Sequence, residues 1–163
     1  MRNIQSRTIK APPTTVADLL AGLGGPDDQL WPSSWPPQRF DRPPGVGARG
    51  GHSSIRYTVT EWEPGRRARY TFDHGLGIDG WHEFRLTADG PDTCTLTHEI
   101  RARTRGKVIL SWPFAVRWLH EALVADLFDN AQRHCEGVAV RPARWSPWVR
   151  LIRAARRRSQ PVA

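Results

Sequence analysis

Apolar and polar residues alternate along much of the first hundred positions, and the places where the alternation lapses divide the chain. Over residues 3–10, Ile4, Ser6, Thr8 and Lys10 fall on one face of an extended segment, with Gln5, Arg7 and Ile9 on the other; this predicts a first strand. In "APPTTVADLLAGLGG" the period lengthens. Val16, Leu19, Leu20 and Leu23 recur at helical spacing behind a Pro-Thr entry, and Gly24-Gly25 closes the segment. From Gly25 to Gly51 neither period survives, and "WPSSWPPQRFDRPPGVGARGG" holds too many prolines for a long helix or a central strand. A long excursion with short structured pieces is expected there, the kind of loop that often covers a site.

Two hairpins follow. Ile55, Tyr57 and Val59 alternate with polar residues up to Pro64-Gly65, and Ala68, Tyr70 and Phe72 alternate after it. Pairing Glu63 with Arg66 across a two-residue turn brings Tyr57 opposite Phe72 and Val59 opposite Tyr70, so the apolar sets meet. By alternation Trp62 and Trp81 fall on the outer face. In "HEFRLTADGPDTCTLTH", residues 82–98, each terminal histidine lies eight positions from Gly90. With Asp89-Gly90-Pro91 as the loop, Leu86 meets Cys94, Phe84 meets Leu96 and His82 meets His98. Arg85, Glu83, Thr95 and Thr97 take the other side, so the apolar face bears both histidines.

After Gly106 the helical period returns. Ser111 serves as the expected cap, Pro113 stands in the first turn, and Gly137 terminates the helix. Val116, Leu123, Val124, Leu127 and Ala131 gather around His120, which therefore occupies the centre of the buried face. Asp126, Asp129 and Arg133 lie on the far side.

Composition adds three constraints. The chain has 163 residues, 39% of them hydrophobic, enough for one domain with one sizeable core. No apolar run is long enough to span a bilayer, and "MRNIQSRTIK" lacks the apolar block of a signal peptide. Cys94 and Cys135 form neither a disulfide framework nor a metal-ligand spacing, so a cytoplasmic protein with reduced thiols is expected, with peripheral membrane attachment left open. The net charge is +8, and seven arginines after residue 140 supply almost all of it. Residues 1–140 hold the remaining 17 basic residues against all 16 acidic ones. A nucleic-acid-binding domain carries its basic face on the folded body, so no specific nucleic acid is expected as partner. Two units are expected: a ligand-binding domain over 1–140 and a basic Arg/Trp-rich tail over 141–163.

Strand, helix, excursion, antiparallel strands and a long final helix imply an α+β fold, a curved sheet wrapped around the last helix. The stretches "RTIKAPPTTVADLL", "GHSSIRYTVTEWEPGRRARYTF", "GWHEFRL", "CTLTHEI" and "WPFAVRWLHEALVADLFDNA" resemble the START-like superfamily, also called SRPBCC. That superfamily includes polyketide cyclase/dehydrase proteins, and the stretches are similar to ones common in its actinobacterial members. The resemblance covers about residues 3–137 and implies a helix-grip fold: a bent antiparallel sheet gripping the C-terminal helix, with an internal cavity for an apolar or aromatic small molecule. Functions under that resemblance run from passive carriage to aromatic ring closure, and the fold does not choose among them.

The candidate wall of such a cavity is Ile55, Tyr57, Val59, Tyr70, Phe72, Phe84, Leu96 and Ile100, with Val124 and Leu127 from the helix. His82, His98, His120 and the two tyrosine hydroxyls are its polar groups. An imidazole both donates and accepts near neutrality, so the three histidines suit ligand orientation or, in a cofactor-free cyclase or dehydratase, acid–base catalysis. A satisfied polar cluster in a core is the competing reading. No metal or cofactor is expected, because strand-strand-helix histidine spacing matches no ligand motif. Trp31 and Trp35, each followed by proline, are candidates for an aromatic lid or a structural loop. Cys94 and Cys135 read as small buried hydrophobes, and "GVGARGG" lacks the pattern of a phosphate loop.

The tail has its own period. From a cap at Ser146, Trp148, Leu151, Ile152 and Ala155 recur at helical spacing, and Arg150, Arg153, Arg156 and Arg157 fill the rest of the wheel. Residues 145–158 could lie on an anionic membrane surface, dock on their own domain with a solvated arginine face, or bind nucleic acid weakly and without sequence preference.

Overall fold

The longest strands are the pair that the alternation marks most clearly. In a computed structural model, which describes residues 1–137 and 143–158, β6 (Ile78–Gly90) and β7 (Thr93–Thr104) form the central antiparallel hairpin. β1 (Arg2–Ile9) lies along β7, and β5 (Arg67–Phe72), β4 (Ile55–Glu63), β3 (Arg49–His52) and β2 (Arg39–Phe40) follow on the far side of β6. The result is one seven-stranded antiparallel sheet in the order β1-β7-β6-β5-β4-β3-β2. α1 (Pro13–Ala21) connects β1 to the excursion, as its pattern predicts. At Gly80 of β6, φ is +148° and a Cβ would stand 2.3 Å from the Arg101 carbonyl oxygen. Only glycine lets the strands approach this closely.

The central hairpin departs from the expected register by two residues. Leu86 pairs with Leu96, Phe84 with His98 and His82 with Ile100, with an irregularity between Ala88 and Gly90. The turn itself is Pro91-Asp92, a suitable place for a residue without an N–H. A slip of two leaves every side chain on its face, because the side-chain period of a strand is two. His82 and His98 are therefore diagonal neighbours rather than directly opposed.

The β4–β5 hairpin departs differently. Glu63 pairs with Arg67, not Arg66, around a three-residue turn in which Gly65 has φ +69° and the Arg66 N–H donates to the Glu63 carbonyl. A bulge between Val59 and Glu61 absorbs the extra residue, so Tyr57 still faces Phe72 and Val59 still faces Tyr70. Below the bulge the parity of β4 reverses. Trp62, expected outside, pairs with the buried Ala68 and packs on the core. Trp81 does lie outside, under the Arg69 guanidinium at 4.2 Å from its ring.

The final helix runs 29 residues from Val108 to Glu136. It starts earlier than the expected Ser111 cap: α2 (Val108–Ser111) leads into a π-helical turn (Trp112–Val116) and then α3 (Arg117–Glu136). Pro113 explains the widening, since it lacks the N–H of a regular helix bond and its ring crowds the preceding turn. Gly137 ends the helix at φ +60°, as expected. Leu119, Leu123, Val124, Leu127, Phe128 and Ala131 are buried along α3. The face assigned to solvent is covered at Asp126 and Asp129, whereas Arg133 is exposed as expected. Asp129 is only 3% exposed, paired with Arg7 of β1 at 3.0 Å and accepting the Ala143 N–H. The sheet packs one side of α3, and the excursion and C-terminal segment cover the other.

That segment forms α4 (Pro147–Arg158), capped by Ser146 Oγ, which accepts the Val149 N–H at 3.2 Å. The docked side is not the Trp148–Leu151–Ile152 stripe. Val149 is the buried apolar residue, and Arg153, one turn on, also points at the body, while Trp148 and Leu151 face outward. Residues 138–142, where the boundary near Val140 was expected, lie outside the described residues.

Candidate functional site

The two strand histidines meet as their shared face requires. His82 Nδ1 and His98 Nε2 are 3.3 Å apart and hydrogen-bonded. His82 lies between the stacked rings of Tyr70 (4.8 Å) and Phe72 (5.1 Å), with Tyr57 edge-on at 4.8 Å. His98 has Phe84 edge-on at 4.5 Å on the strand side and His120 at 4.8 Å on the helix side. The structure thus brings all three predicted histidines together.

The protein itself supplies only part of their hydrogen bonding. His82 Nε2, His98 Nδ1 and both nitrogens of His120 are buried and have no hydrogen-bond partner within the protein, and the Tyr70 hydroxyl shares that condition. Each such group costs about 1–3 kcal/mol, so a native fold that keeps several in one place calls for a reason. Burial also holds the imidazoles neutral. It pushes His120 down to about 3, with a smaller contribution from His52, and holds His82 and His98 well below the ordinary histidine range.

Neutrality fixes what the pair can do. A neutral imidazole carries one N–H and one lone pair. If His82 donates to His98, the free ends are an acceptor on His82 and a donor on His98; if the bond runs the other way, the ends exchange roles. Either tautomer leaves one donor and one acceptor, and switching between them moves a proton equivalent from one end to the other. His120 adds one of each.

These rings border a pocket of about 340 Å³ between the sheet and α3. Of the predicted ligand-binding residues, Trp31, Trp35, Phe72, His82, Phe84, His98, His120, Val124 and Leu127 line it, as do Ile55 and Ile100 of the predicted wall. Tyr57, Tyr70, Val59 and Leu96 do not; they are fully or almost fully buried. Tyr57 is committed elsewhere, its hydroxyl accepting from Gln38 Nε2 at 2.6 Å and contacting His52 Nδ1 at 3.2 Å.

The excursion forms one side of the mouth. Asp28 organises it by accepting the backbone N–H groups of Gly24, Leu30 and Trp31 at 2.8–2.9 Å. Trp31 lies tilted against His52, ring centroids 5.0 Å apart, and donates its indole N–H to the Pro36 carbonyl. Trp35 donates to Asp126 of α3 at 2.7 Å, and Trp145 donates to the same carboxylate at 2.9 Å. Burial raises the Asp126 carboxyl above its usual range, against the pull of the two indole donors.

Sequence reasoning missed several lining residues. His52 carries no periodic signal, since it ends a two-glycine strand at a turn where Ser53 has φ +52°. Burial, helped by Arg56, lowers it to about 4. Trp112 and Val116 enter through the π-helical turn, and Arg153 and Arg156 reach the mouth from α4. Nothing in the local pattern ties a tail arginine to a pocket whose strand histidines, His82 and His98, lie far back in the sequence. Cys94 is buried with its thiol toward the Ala11 carbonyl, and burial pushes Cys135 up to about 11, so neither is an activated nucleophile.

A family described as polyketide cyclase / dehydrase and lipid transport matches residues 4–136. The chain belongs to that family. Its fold is the START-like, SRPBCC helix grip. Solved structures agree at low identity. CalU16 from Micromonospora echinospora is 18% identical over 97% of this chain and 84% of its own, with a TM-score of 0.57. Norcoclaurine synthase from Thalictrum flavum, in complex with dopamine and hydroxybenzaldehyde, is 13% identical over 86% and 89%, with a TM-score of 0.62. The protein XoxI from Bacillus cereus is 15% identical over 83% and 95%, also at 0.62. At these identities the likeness is one of fold. No curated protein matches the chain. Among the described residues, no helix is long and apolar enough to cross a membrane.

Proposed function

We propose that this protein binds an apolar, aromatic or polyketide-like small molecule between its sheet and α3, with a neutral oxygen function of the ligand directed at His82, His98 and His120. The observation that carries the reading is the set of imidazole nitrogens without a protein partner beside a pocket lined mainly by apolar side chains. A hydroxyl or carbonyl supplies the partners that the protein does not, whereas a charge at that depth would be poorly solvated. The volume suits a ligand of a few fused or linked rings. Native mass spectrometry of freshly purified protein should find a co-purified small molecule, depleted in His98→Phe. An empty pocket in the wild-type protein, together with no uptake of aromatic probes, would defeat the reading.

A catalytic version rests on the same pair. The 3.3 Å His82–His98 contact is a two-site proton relay of the kind that a cofactor-free aldol cyclisation or dehydration uses, taking a proton at one carbon or oxygen and returning it at another. Turnover lost in His82→Ala or His98→Ala with the fold intact separates this version from carriage.

A membrane-surface role is favoured by one further observation. Leu110 and Phe114 are 70% and 65% exposed, and Trp118 and Trp148 donate their indole N–H groups to the Pro113 and Phe114 carbonyls. With Leu151 these side chains form an outward apolar patch, and Arg117 and Arg150 lie on the same helices. Co-sedimentation with anionic vesicles and none with neutral ones is the expected result, and indifference to anionic vesicles at low salt removes this role.

A further inference from the structure

The tail arginines are a feature that ligand binding at the histidines leaves unused. We infer that the pocket's ligand carries an anionic group, a carboxylate or an equivalent oxyanion, and that Arg153 and Arg156 of α4 meet it at the mouth. The inference rests on the ligand-binding reading above and specifies the ligand further.

Three observations converge on it. First, Arg153 and Arg156 line the pocket, and no acidic residue does so among the described residues. With the histidines held neutral by burial, the charged lining groups are these two guanidiniums. Second, Arg153 is held in place. Its guanidinium lies 4.0 Å from the rings of both Trp35 and Trp145, and its Nη2 donates to the Ser34 carbonyl at 2.6 Å. A guanidinium ordered in advance gives up less conformational entropy when an oxyanion arrives. Third, the nearby carboxylate, Asp126, accepts both indole N–H groups and does not line the pocket; it attracts the Arg153 guanidinium electrostatically, which helps to hold it, and Arg156 is the more exposed of the two cations.

The docked face of α4 follows the same logic. Val149, Arg153 and Arg156 recur at i, i+4 and i+7, so the helix presents one apolar anchor and two cations to the body. Arg156 is exposed and can pair with an oxyanion in the two-pronged geometry that guanidinium and carboxylate share. The bound molecule is then polarised along its length, with a neutral oxygen toward the histidines, an apolar body and an anion at the rim. A free organic acid and the headgroup of an anionic lipid share this chemistry.

The test is calorimetric titration of the full chain with 2-naphthoate and with 2-naphthamide, which have nearly the same shape and differ in charge. We expect the acid to bind at least about tenfold more tightly at low salt. Arg156→Gln should remove most of that preference by weakening the acid more than the amide, and raising salt to about 0.5 M should narrow it. Arg153→Lys, which keeps the charge and loses the stacked fork, should reduce the preference only in part. Equal affinity for the two compounds, or a preference untouched by Arg156→Gln and Arg153→Lys alike, would overturn the anion assignment while leaving ligand binding standing. Failure of both compounds to bind would overturn the pocket reading and this inference with it. Competition by phosphatidylglycerol micelles, with none by free naphthoate, would assign the arginines to a lipid headgroup instead of a free acid.

Discussion

Two faces of one hairpin treat buried polarity in opposite ways. On the convex face, Glu83 and Glu99 are paired across β6 and β7, 1% and 7% exposed, an arrangement that like charges disfavour. Each is compensated. Glu83 accepts from Arg67, Arg69 and Arg85 at 2.8–3.1 Å, and Glu99 accepts from Arg2 at 2.9 Å. On the concave face, one residue along the chain, His98 is as deeply buried, yet it and its two neighbours keep partnerless nitrogens. Protein groups alone complete the convex network, and protein groups alone leave the concave cluster with open positions. A fold able to surround one carboxylate with three guanidiniums does not lack the means to satisfy an imidazole, so the difference points to use rather than to poor packing.

The largest effect that separates the faces is acid unfolding. His82, His98 and His120 stay neutral in the folded protein and charge near pH 6.5 once unfolded, so the unfolded state binds more protons below that value. Stability therefore falls as pH drops from about 6.5 toward 4, by up to roughly 1.4 kcal/mol per pH unit for each histidine that remains neutral. Thermal melts between pH 7.5 and 4.5 should show this slope. A flat profile would mean that the imidazoles are solvated.

Next in size is Glu83→Gln. Removing the charge leaves three arginines facing a neutral amide, and since they are 22–46% exposed, water screens part of the loss. A cost of about 2–3 kcal/mol is expected, read as a fall of about 5–10 °C in Tm. Ligand uptake should be unchanged, because Glu83 faces away from the pocket.

Truncation after Val140 comes third. It removes the buried Val149, the Trp145 donor to Asp126 and the Arg153 clamp on Trp35. We expect residues 1–140 to retain a cooperative melt with a loss of about 1–2 kcal/mol, and the mouth to lose its preference for anions. Loss of folding would show that the tail belongs to the domain.

The smallest effect has the opposite sign. His120→Leu removes two partnerless nitrogens from α3 and should stabilise the protein by about 1 kcal/mol, while weakening retention of the co-purified molecule. A destabilised His120→Leu would show that the imidazole is a structural element after all.

The faces of the strands were legible because they depend on a period of two, which survives a two-residue slip of the hairpin. The register was not legible. It depends on where a bulge absorbs a residue, and a bulge at Thr60 or near Asp89 leaves no mark on composition. The same bulge moved Trp62 to the core. In the helix, the spacing around His120 was readable, but the cover over Asp126 and Asp129 was not, since it comes from an excursion and a tail distant in sequence.

By itself, then, the sequence determined which residues of the central hairpin face inward, that three histidines share one face with apolar neighbours, and where the basic charge is concentrated. Local periodicity carries that information, because side-chain direction follows from backbone geometry a few residues at a time. Only the tertiary structure decided that four of the histidine nitrogens lack a protein partner, that Tyr57 and Tyr70 are withdrawn from the pocket, and that Arg153 packs on both Trp35 and Trp145. Those are long-range pairings, set by how the curved sheet, the excursion and α4 close around α3, and no local pattern encodes which distant group fills a hydrogen bond.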